Sequence, residues 1–256
     1  MTPTASEPDI VLLHAAGSLR NALTEVGLAF AAATGIAVQG KYGPSGLLKD
    51  EIAGGAKAEV FASANMEHPE ALAKGGYGGP VILFARNRMC ALVRPGLSVG
   101  PDDLLDHMLD MQVKLGTSTP VADPSGDYTW EIFRRAEAVR PGSFAALDRK
   151  ALKLTGGAVR ATSPDDRNPY GALIAEGKAD ILLNYRTAVR VAAQENPGQQ
   201  VVELPAALAV GANYGMTVTP SASPAACRFA MFIMSEAGQR ILAGHGFDAP
   251  ALVERI

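Results

Sequence analysis

Three short segments of the sequence place glycine and serine where an apolar run gives way to helical periodicity. They read "HAAGSLRNAL", "YGPSGLLKDEI" and "DPSGDYTWEIF", and their serines are Ser18, Ser45 and Ser125. A fourth junction, "SPDDRNPYG", also opens a predicted helix. The first backbone N–H groups of a helix have no partner within the helix and carry a partial positive charge. Such junctions can therefore donate hydrogen bonds to a small anion.

The sequence leaves two interpretations of these serines open. In one, a neighbouring glycine lets an anion approach the backbone closely, and the serine hydroxyl adds a rotatable donor. In the other, the serine is an ordinary helix N-cap that stabilises the protein by about 1 kcal/mol and binds nothing. In open α/β sheets, ligands bind outside the carboxyl ends of the strands, which is where these junctions fall. Spacing alone does not choose between the two.

The carboxylates and histidines form neither a catalytic nor a metal-binding pattern. Asp123, Asp127, Asp165 and Asp166 lie in segments rich in turn residues, and no nucleophile accompanies them for acid–base chemistry. The four histidines show no zinc-site spacing with each other or with either cysteine. We therefore expect a protein that is not an enzyme and that holds no metal ion or cofactor of its own.

Composition and charge limit the classes of partner. The chain has 256 residues, of which 48% are hydrophobic, so it can bury real cores. Its net charge of -3 shows that it lacks the basic excess typical of nucleic-acid binding. No apolar run reaches membrane-spanning length. The first residues, "MTPTASEPD", lack the basic-then-apolar pattern of a secretory signal. Either the protein is cytoplasmic or a signal has been removed.

Alternating strand and helix patterns predict an α/β fold with two doubly wound, Rossmann-like lobes joined by crossover strands. One series begins at "DIVLLHAA"; a second follows the apolar "VILFARNRMCALVRP" and includes a strand at "GAVRATS". A single helix, "AACRFAMFIMSEAGQRILAGHG", then returns to the first lobe. We predict residues 1–84 with 210–256 as the first lobe and 85–209 as the second. Cys90 and Cys227 then lie in different lobes and are expected to be buried free thiols.

Several of these segments, taken in order, resemble the molybdate-binding solute receptors of ABC transporters, which are type II periplasmic binding proteins. The resemblance covers nearly the whole chain and is carried by "AAGSL", "GPSGLL", "GGAKAEVFASANMEHPEAL", "DPSGDYTWEIF", "GALIAEGKADILLNYRTAV" and "GQRILAGHGF". It implies the fold of that class. It also implies a receptor that traps molybdate, tungstate or a similar oxyanion between its lobes and presents it to a membrane permease.

The resemblance implies ligands from both lobes. Ser18 and Ser45 would give hydroxyl and N–H donors from the first lobe, and Ser125 a backbone donor from the second. Asp127 stands close to this last position, and a carboxylate repels a dianion. We expect Asp127 to cap the helix from outside the site; otherwise it marks a different ligand, one that carries a proton.

The remaining second-lobe ligands depart from the family pattern. The family's next donor falls at Asn168 to Tyr170, and its tyrosine ligand falls at Asn184, with Tyr185 adjacent. Pro169 has no N–H to donate, and Asn184 replaces the phenol, although its side-chain amide can still donate. The candidate ligand-binding residues in this lobe are therefore Asn168, Tyr170, Asn184 and Tyr185, together with Ser125.

Three other residues stand near the predicted junctions. Arg167 is the best charged candidate for contact with an anion, because "DDRN" leads into a helix start. Arg20 is expected on a solvated helix face, and His14 is expected to be structural.

The resemblance places the protein in the periplasm, as a monomer whose partners are the oxyanion and an ABC permease. Two alternatives remain: a cytoplasmic ligand-sensing module of the same fold, suggested by the missing signal pattern, and a receptor for a different anion. An enzyme of the same two-lobed architecture, such as a deaminase, would need an acid or nucleophile that the sequence does not supply.

Overall fold

The computed structural model describes residues 10–121, 123–156 and 168–252. Within these ranges the strands are β1 (Ile10–Ala16), β2 (Ala37–Gly43), β3 (Val60–Ala62), β4 (Ile82–Val93), β5 (Leu115–Ser118), β6 (Leu152–Thr155), β7 (Ile181–Tyr185), β8 (Gln200–Glu203) and β9 (Gly211–Val218). The helices are α1 (Arg20–Thr34), α2 (Ser45–Ala53), α3 (Glu67–Lys74), α4 (Leu104–Leu109), α5 (Pro124–Val139), α6 (Ser143–Lys150), α7 (Pro169–Ala175), α8 (Arg186–Glu195), α9 (Pro224–Met234) and α10 (Glu236–Gly244). The predicted α/β class is confirmed.

The chain divides into two compact units. Unit 1 consists of Met1–Arg86 and Ala212–Ile256, and unit 2 of Asn87–Gly211. The chain leaves unit 1 within β4 and returns to it within β9. The boundaries expected from the sequence, after residues 84 and 209, fall in or beside these same strands.

The sheet of unit 1 contains β2, β1, β3 and β9 in that order. Strands β2, β1 and β3 are parallel, and β9 runs antiparallel to β3. In the register of the sheet, Ala16 of β1 pairs with Gly43 of β2, and Ala15 of β1 pairs with Ala62 of β3. The carboxyl ends of the three parallel strands therefore lie side by side.

The core of unit 1 follows the helical periodicity of the sequence. Leu23, Val26 and Phe30 of α1 are fully buried, as their spacing of three and four residues predicts. The Phe30 ring packs edge-on against the ring of Phe229 in α9, with 5.2 Å between centroids. Burial of each such side chain stabilises the fold by about 1.5–3 kcal/mol. Gly35 ends α1 in the left-handed conformation, with φ 75°, that its predicted C-cap role requires.

The sheet of unit 2 has the order β8, β4, β7, β5 and β6, with β7 at its centre. Strand β5 pairs in parallel with β6 on one side and with β7 on the other, while β4 pairs antiparallel with both β7 and β8. The apolar core includes Met89 and Ala91 of β4, Phe133 of α5 and Leu183 of β7. Because β5, β6 and β7 run in the same direction, their carboxyl ends form one edge, as in unit 1.

The prediction of one long final helix is wrong. The chain forms α9 and α10, separated by Ser235, whose backbone leaves the helical region with φ -69° and ψ 163°. The Ser235 hydroxyl donates to the carbonyl oxygen of Phe232 at 2.7 Å and accepts from the N–H of Gly238 at 3.3 Å. One serine thus ends the first helix and caps the second.

Other differences concern short elements. Strand β6 precedes the predicted strand "GAVRATS", which lies outside the described residues. Helices α4 and α6 and strand β8 are not predicted, because elements this short depend on tertiary packing rather than on their own periodicity. Both cysteines are free, but only Cys90 is buried. The expectation of a buried thiol is wrong for Cys227, which lies off the buried face of α9 formed by Ala226, Phe229 and Ala230.

In the ranges that the structure describes, no helix combines the length and the apolar character that crossing a membrane requires.

Candidate functional site

Three chain segments leave the sheet of unit 1 at the same edge. After β1 the chain forms a 3-10 turn, Gly17–Leu19, that leads into α1. After β2 it passes through Pro44 into α2, and after β3 it continues through Ser63–Asn65. Since the three strands end side by side, Ser18 and Ser45 are brought to one edge of the sheet, as predicted.

The helices at this edge start without side-chain caps. The residue before the turn is Ala16, the N-cap of α1 is Leu19, and the N-cap of α2 is Pro44; none of the three gives a side-chain hydrogen bond to the helix that follows. By contrast, α9 and α10 in the same unit are capped by the hydroxyls of Ser223 and Ser235. The N–H of Arg20 donates to the carbonyl oxygen of Gly17. The N–H groups without a side-chain cap at this edge are therefore those of the turn Gly17–Leu19 before α1 and of the first turn of α2.

Both predicted serines of unit 1 are held by neighbours at this edge. The exposed Ser18 has its hydroxyl oxygen 3.1 Å from the hydroxyl of Tyr214, and the half-buried Ser45 accepts at its Oγ from the N–H of Ala64 at 3.2 Å. When the Ser45 hydroxyl accepts from Ala64, its own hydrogen is still available to donate. Neither serine is the cap of its helix, so the N-cap interpretation does not describe Ser18 or Ser45.

Tyr214 is a site residue that the sequence analysis missed. It lies in β9, which reaches the same edge because Met216 pairs with Ala62. The Tyr214 side chain is fully buried, with its ring edge-on to those of Phe84 and Phe247. The ring of Tyr214 therefore packs in the core, and its hydroxyl contacts the Ser18 hydroxyl. A tyrosine inside a strand carries no spacing signal, so the register of β9 had to be known before its role was visible.

The charged groups near this edge have neighbours of their own, and Lys41 forms an ion pair with Glu51 at 2.6 Å. His14 is 7% exposed, and burial, followed by the nearby Lys41, lowers its pKa, while Glu51 opposes the shift. A neutral, buried imidazole agrees with the structural role expected for His14. The guanidinium of Arg20 lies 4.8 Å from the centre of the Tyr42 ring. The donors at this edge are accordingly neutral hydroxyls and backbone N–H groups.

The equivalent helix start in unit 2 is organised differently. Asp123 is the N-cap of α5, and its Oδ1 accepts both from the backbone N–H of Ser125 and from the Ser125 hydroxyl, each at 2.9 Å. Ser125 is 1% exposed. The backbone donor that the resemblance assigns to Ser125 is thus bonded to a carboxylate of the chain itself.

The expected cap, Asp127, is not the cap of α5. Its Oδ1 accepts from the N–H of Val121 at 2.8 Å and so fixes the loop before the helix. The capping carboxylate is Asp123, which precedes Pro124 at the first helical position, a common arrangement at helix starts. The dipeptide "DP" at positions 123 and 124 is typical of an N-cap followed by the first helical residue, and it indicates Asp123 rather than Asp127 as the cap.

A polar cluster lies at the carboxyl ends of the strands of unit 2. The Ser118 and Thr155 hydroxyls are 2.6 Å apart, and the amide of the buried Asn184 is 3.5 Å from the Ser118 oxygen. Burial raises the pKa of Tyr170, the negative charge of Asp123 raises it further, and a hydrogen bond with the Asn184 side chain opposes both. The Tyr170 phenol therefore stays protonated and lies beside Asn184, the position at which the family pattern has its tyrosine ligand.

Asn168 and Tyr185 lie beside this cluster with other partners. The Asn168 side chain caps α7 by accepting from the N–H of Tyr170 at 3.0 Å, and donates to the carbonyl oxygen of Ala188. The Tyr185 ring packs edge-on against that of Tyr128, with 6.0 Å between centroids. Of the unit 2 candidates, Ser125 bonds to Asp123, and Tyr170 bonds to the Asn184 side chain and lies close enough to Asp123 for its charge to raise the Tyr170 pKa. Arg167 lies outside the described residues.

Among the side chains of the described ranges, no three His, Cys, Asp or Glu residues cluster in a way that could hold a metal ion. The chemistry available at both edges is hydrogen bonding, mainly by neutral donors. In unit 2 carboxylates also take part, since Asp123 accepts from Ser125 and Glu195 accepts from the N–H of Asn168 at 2.7 Å.

Comparison with known proteins gives a family. The model of the family described as bacterial extracellular solute-binding protein matches residues 11–248. An uncharacterized protein of Pasteurella multocida (strain Pm70) is 33% identical over 201 residues, which cover 78% of this chain and 83% of that protein.

Solved structures share the fold. A structure described as the substrate-binding domain of a molybdenum ABC transporter from Clostridium difficile superposes with a TM-score of 0.75 at 21% identity, covering 96% of this chain and 99% of that one. The periplasmic molybdate-binding protein of Azotobacter vinelandii gives 0.68 at 21% identity, over 94% and 99% of the two chains. The sulfate-binding protein SubI of Mycobacterium tuberculosis H37Rv gives 0.69 at 17% identity, over 94% and 87%.

At these identities the structural matches show the fold, and the ligands in their names belong to those proteins. The matched family and these neighbours are binding proteins rather than enzymes, in agreement with the absence of a catalytic pattern in the sequence. The chain belongs to the family of bacterial extracellular solute-binding proteins.

Proposed function

We propose that this protein is the receptor for a small tetrahedral oxyanion and delivers it to an ABC permease. The observation that carries the proposal is the edge of unit 1, where the turn before α1 and the first turn of α2 lie side by side without side-chain caps. Ser18 lies in the first of these turns and Ser45 in the second. Unpaired N–H groups at two helix starts, supplemented by hydroxyls, bind an anion without a charged residue.

Unit 2 contributes further donors in this proposal. The Tyr170 phenol and the Asn184 amide form a second group of neutral donors, and we propose that they too can bind an oxyanion. The resemblance names molybdate and tungstate as ligands, and the structural neighbours are described as binding proteins for molybdate or sulfate. Selectivity among such anions depends on cavity size and on which donors and acceptors face the ligand.

The cellular setting is part of the same proposal. A family described as extracellular, with solute-binding neighbours, supports a location outside the cytoplasmic membrane, which for the periplasmic neighbours means the periplasm. The expected partners are the anion and the permease, with the receptor acting as a monomer. Size-exclusion chromatography with light scattering tests the monomer directly.

Isothermal calorimetry with molybdate, tungstate, sulfate and phosphate tests the proposed ligand class. We expect saturable binding of at least one of them. Ser45→Ala should weaken binding by about 10- to 100-fold, since hydrogen bonds to a charged group contribute roughly 1.5–3 kcal/mol. Ser235→Ala is the matched control: it removes a hydroxyl from unit 1 that caps α10, and should lower the melting temperature without changing affinity.

Two results would contradict the proposal. One is the absence of both binding heat and a melting shift with all four anions. The other is an equal loss of affinity in Ser45→Ala and Ser235→Ala. Such a result would mean that the affinity falls because the protein is destabilised in general, and not because a donor at the edge of unit 1 is lost.

A further inference from the structure

The start of α5 in unit 2 already holds an anion, and that anion is a side chain. Asp123 Oδ1 receives the Ser125 N–H and the Ser125 hydroxyl at the same distance, 2.9 Å. These are the two groups that a free oxyanion would use there. A ligand bound by this unit therefore meets a carboxylate, which accepts hydrogen bonds and donates none.

Asp123 is held in this position by the surrounding backbone. Its N–H donates to the carbonyl oxygen of Thr119 at 3.0 Å, and the Thr119 N–H donates to the carbonyl oxygen of Thr155 at 2.8 Å, so the loop is tied to β6. Gly156 makes room for it: a Cβ at position 156 would lie 2.9 Å from the Asp123 Cβ. Moving the carboxylate aside for an incoming anion would break this arrangement.

The other polar groups near Asp123 are donors. The Tyr170 phenol is protonated and senses the negative charge of Asp123, and it shares a hydrogen bond with the Asn184 side chain. The Tyr170 and Asn184 side chains can donate, whereas the Asp123 carboxylate can only accept. A ligand that satisfies all three must accept hydrogen bonds and also supply a hydrogen.

We propose that Asp123 is a specificity-determining residue that selects an oxyanion carrying its own acidic hydrogen, of the phosphate type, over sulfate, molybdate and tungstate. Inorganic phosphate keeps at least one hydrogen at neutral pH and can donate it to Asp123, whereas sulfate, molybdate and tungstate carry none and meet only repulsion between like charges. A phosphate monoester in its monoanionic form supplies the same O–H. The inference rests on the proposed function, because it names the class of oxyanion that such a receptor accepts.

Calorimetry at neutral pH and fixed ionic strength tests the selection. The probes are inorganic phosphate, glycerol 3-phosphate, sulfate and molybdate, and the two phosphate probes distinguish the free ion from an ester. The wild-type protein should bind a phosphate probe at least about tenfold more tightly than sulfate or molybdate, as expected for one charge-assisted hydrogen bond. This arm needs no variant, and wild-type preference for sulfate or molybdate would overturn the inference.

The variant Asp123→Asn keeps a good N-cap and removes the charge. The ratio of phosphate affinity to sulfate affinity should fall by at least about tenfold, because an amide can donate to a fully deprotonated anion as well as accept. Asp127→Asn is the matched control, since it removes an exposed carboxylate from the same helix that bonds to Val121 rather than to Ser125. The ratio should stay within about twofold of wild type in the control.

The outcomes separate the two proposals. If no oxyanion binds to the wild type or to either variant, the proposed function fails. If oxyanions bind and the ratio is the same in wild type, Asp123→Asn and Asp127→Asn, the proposed function stands and the role of Asp123 is overturned.

Discussion

The two units build the same kind of sheet edge and finish it differently. In unit 1, α1 and α2 begin after Leu19 and Pro44, which give no side-chain hydrogen bond to the helix. In unit 2, α5 and α7 begin after Asp123 and Asn168, whose side chains accept from the helix, and only α8, which follows Tyr185, starts at this edge without a side-chain cap among the helices described there. The α/β framework brings helix starts to one edge in both units, but the residue at the N-cap decides whether those starts are left open.

This difference separates stability from binding. A capped helix start contributes about 1 kcal/mol to folding and offers fewer groups to a ligand, while an uncapped one forgoes that stabilisation and keeps its donors. For this reason the proposed anion site is centred on the uncapped starts of unit 1. The capped starts of unit 2 position a carboxylate, a phenol and an amide instead, and these groups can distinguish one ligand from another.

Transferring the cap of unit 2 to unit 1 gives the largest expected effect. Pro44→Asp places a carboxylate at the start of α2, where it can accept from the first N–H groups as Asp123 does in α5. Anion affinity should fall by about 100-fold or more, because a like charge beside the ligand costs several kcal/mol. The melting temperature should stay the same or rise, since the helix gains a cap.

Calorimetry and thermal unfolding check both parts of this prediction. Pro44→Asn is the matched control, since it supplies a cap of the same shape without the charge, and it should weaken binding less than Pro44→Asp. Unchanged affinity in a stably folded Pro44→Asp protein would show that the start of α2 is not where the anion binds.

The hydroxyl of Tyr214 gives a smaller effect within unit 1. Tyr214→Phe keeps the ring between Phe84 and Phe247 and removes the oxygen that lies 3.1 Å from the Ser18 hydroxyl. We expect a loss of anion affinity of about 3- to 10-fold, in line with a net contribution near 1 kcal/mol for one neutral hydrogen bond. Affinity by calorimetry and stability by urea unfolding are the measurements.

A double variant of Ser18 and Tyr214 shows whether the tyrosine acts through the serine. If Tyr214 acts by orienting Ser18, the double variant Ser18→Ala, Tyr214→Phe should bind no more weakly than Ser18→Ala alone. Fully additive losses would contradict that role and point to a separate effect of the tyrosine.

The sequence predicts most of the fold because its long elements repeat their pattern many times. The apolar stripe of α1 and the alternation of strand and helix through β3 are encoded over many residues. Ser18 and Ser45 are predictable for the same reason, since each follows a recognisable strand and opens a recognisable helix. Short elements such as α4 and β8 carry too few residues to show a period, and Ser235 breaks the last helix with a single side chain.

The rest of the site depends on contacts between distant parts of the chain. Tyr214 reaches Ser18 across 196 positions, and Thr155 reaches Ser118 across 37. Local pattern does not encode such pairs, since they are set by strand register. Asp123 is different: its place before Pro124 was readable as a helix start, and the choice between two nearby carboxylates required the direction of each side chain.

Acid should remove the stability that the Glu59 carboxylate contributes to unit 1. Burial raises the pKa of Glu59, but hydrogen bonds from the Ser223 side chain and from the N–H groups of Leu12 and Ser223 outweigh burial, and the pKa lies below the ordinary value. The unfolded chain thus binds a proton more readily than the folded one. The stability that Glu59 contributes is present above its ordinary pKa of about 4.5 and is lost as the pH falls through the lower folded value.

Glu59→Gln should lower the free energy of unfolding at neutral pH by about 1 kcal/mol, discounted for the partial exposure of the carboxylate. The difference from wild type should shrink as the solution is acidified. Glu137 of unit 2 is the exposed counterpart of Glu59. Hydrogen bonds from the N–H groups of Gly142 and Phe144 lower the pKa of Glu137 as well, but its carboxylate lies at the surface. Urea unfolding of Glu59→Gln and Glu137→Gln at neutral and acidic pH measures both, and a pH-independent difference for Glu59→Gln would contradict the assignment.

The smallest predicted effect lies in the loop that positions Asp123. Val121 has φ 69°, a left-handed conformation that a β-branched residue rarely adopts, and its side chain is 95% exposed. Val121→Asn should raise the free energy of unfolding by up to about 1 kcal/mol, because asparagine tolerates this region and no packing is lost. For a chain of this size that is a rise in melting temperature of about 2–4 °C.

Val121→Ala is the control for this substitution, since it shortens the side chain and keeps a residue that disfavours the left-handed region, so it should gain less than Val121→Asn. The N–H of Val121 should stay bonded to Asp127 in each variant, because the backbone conformation is kept. If the strain serves only to hold the loop, the ligand preference set by Asp123 should be the same in Val121→Asn and in wild type. A changed ratio of phosphate to sulfate affinity with unchanged stability would instead make the conformation of Val121 part of how unit 2 presents its carboxylate.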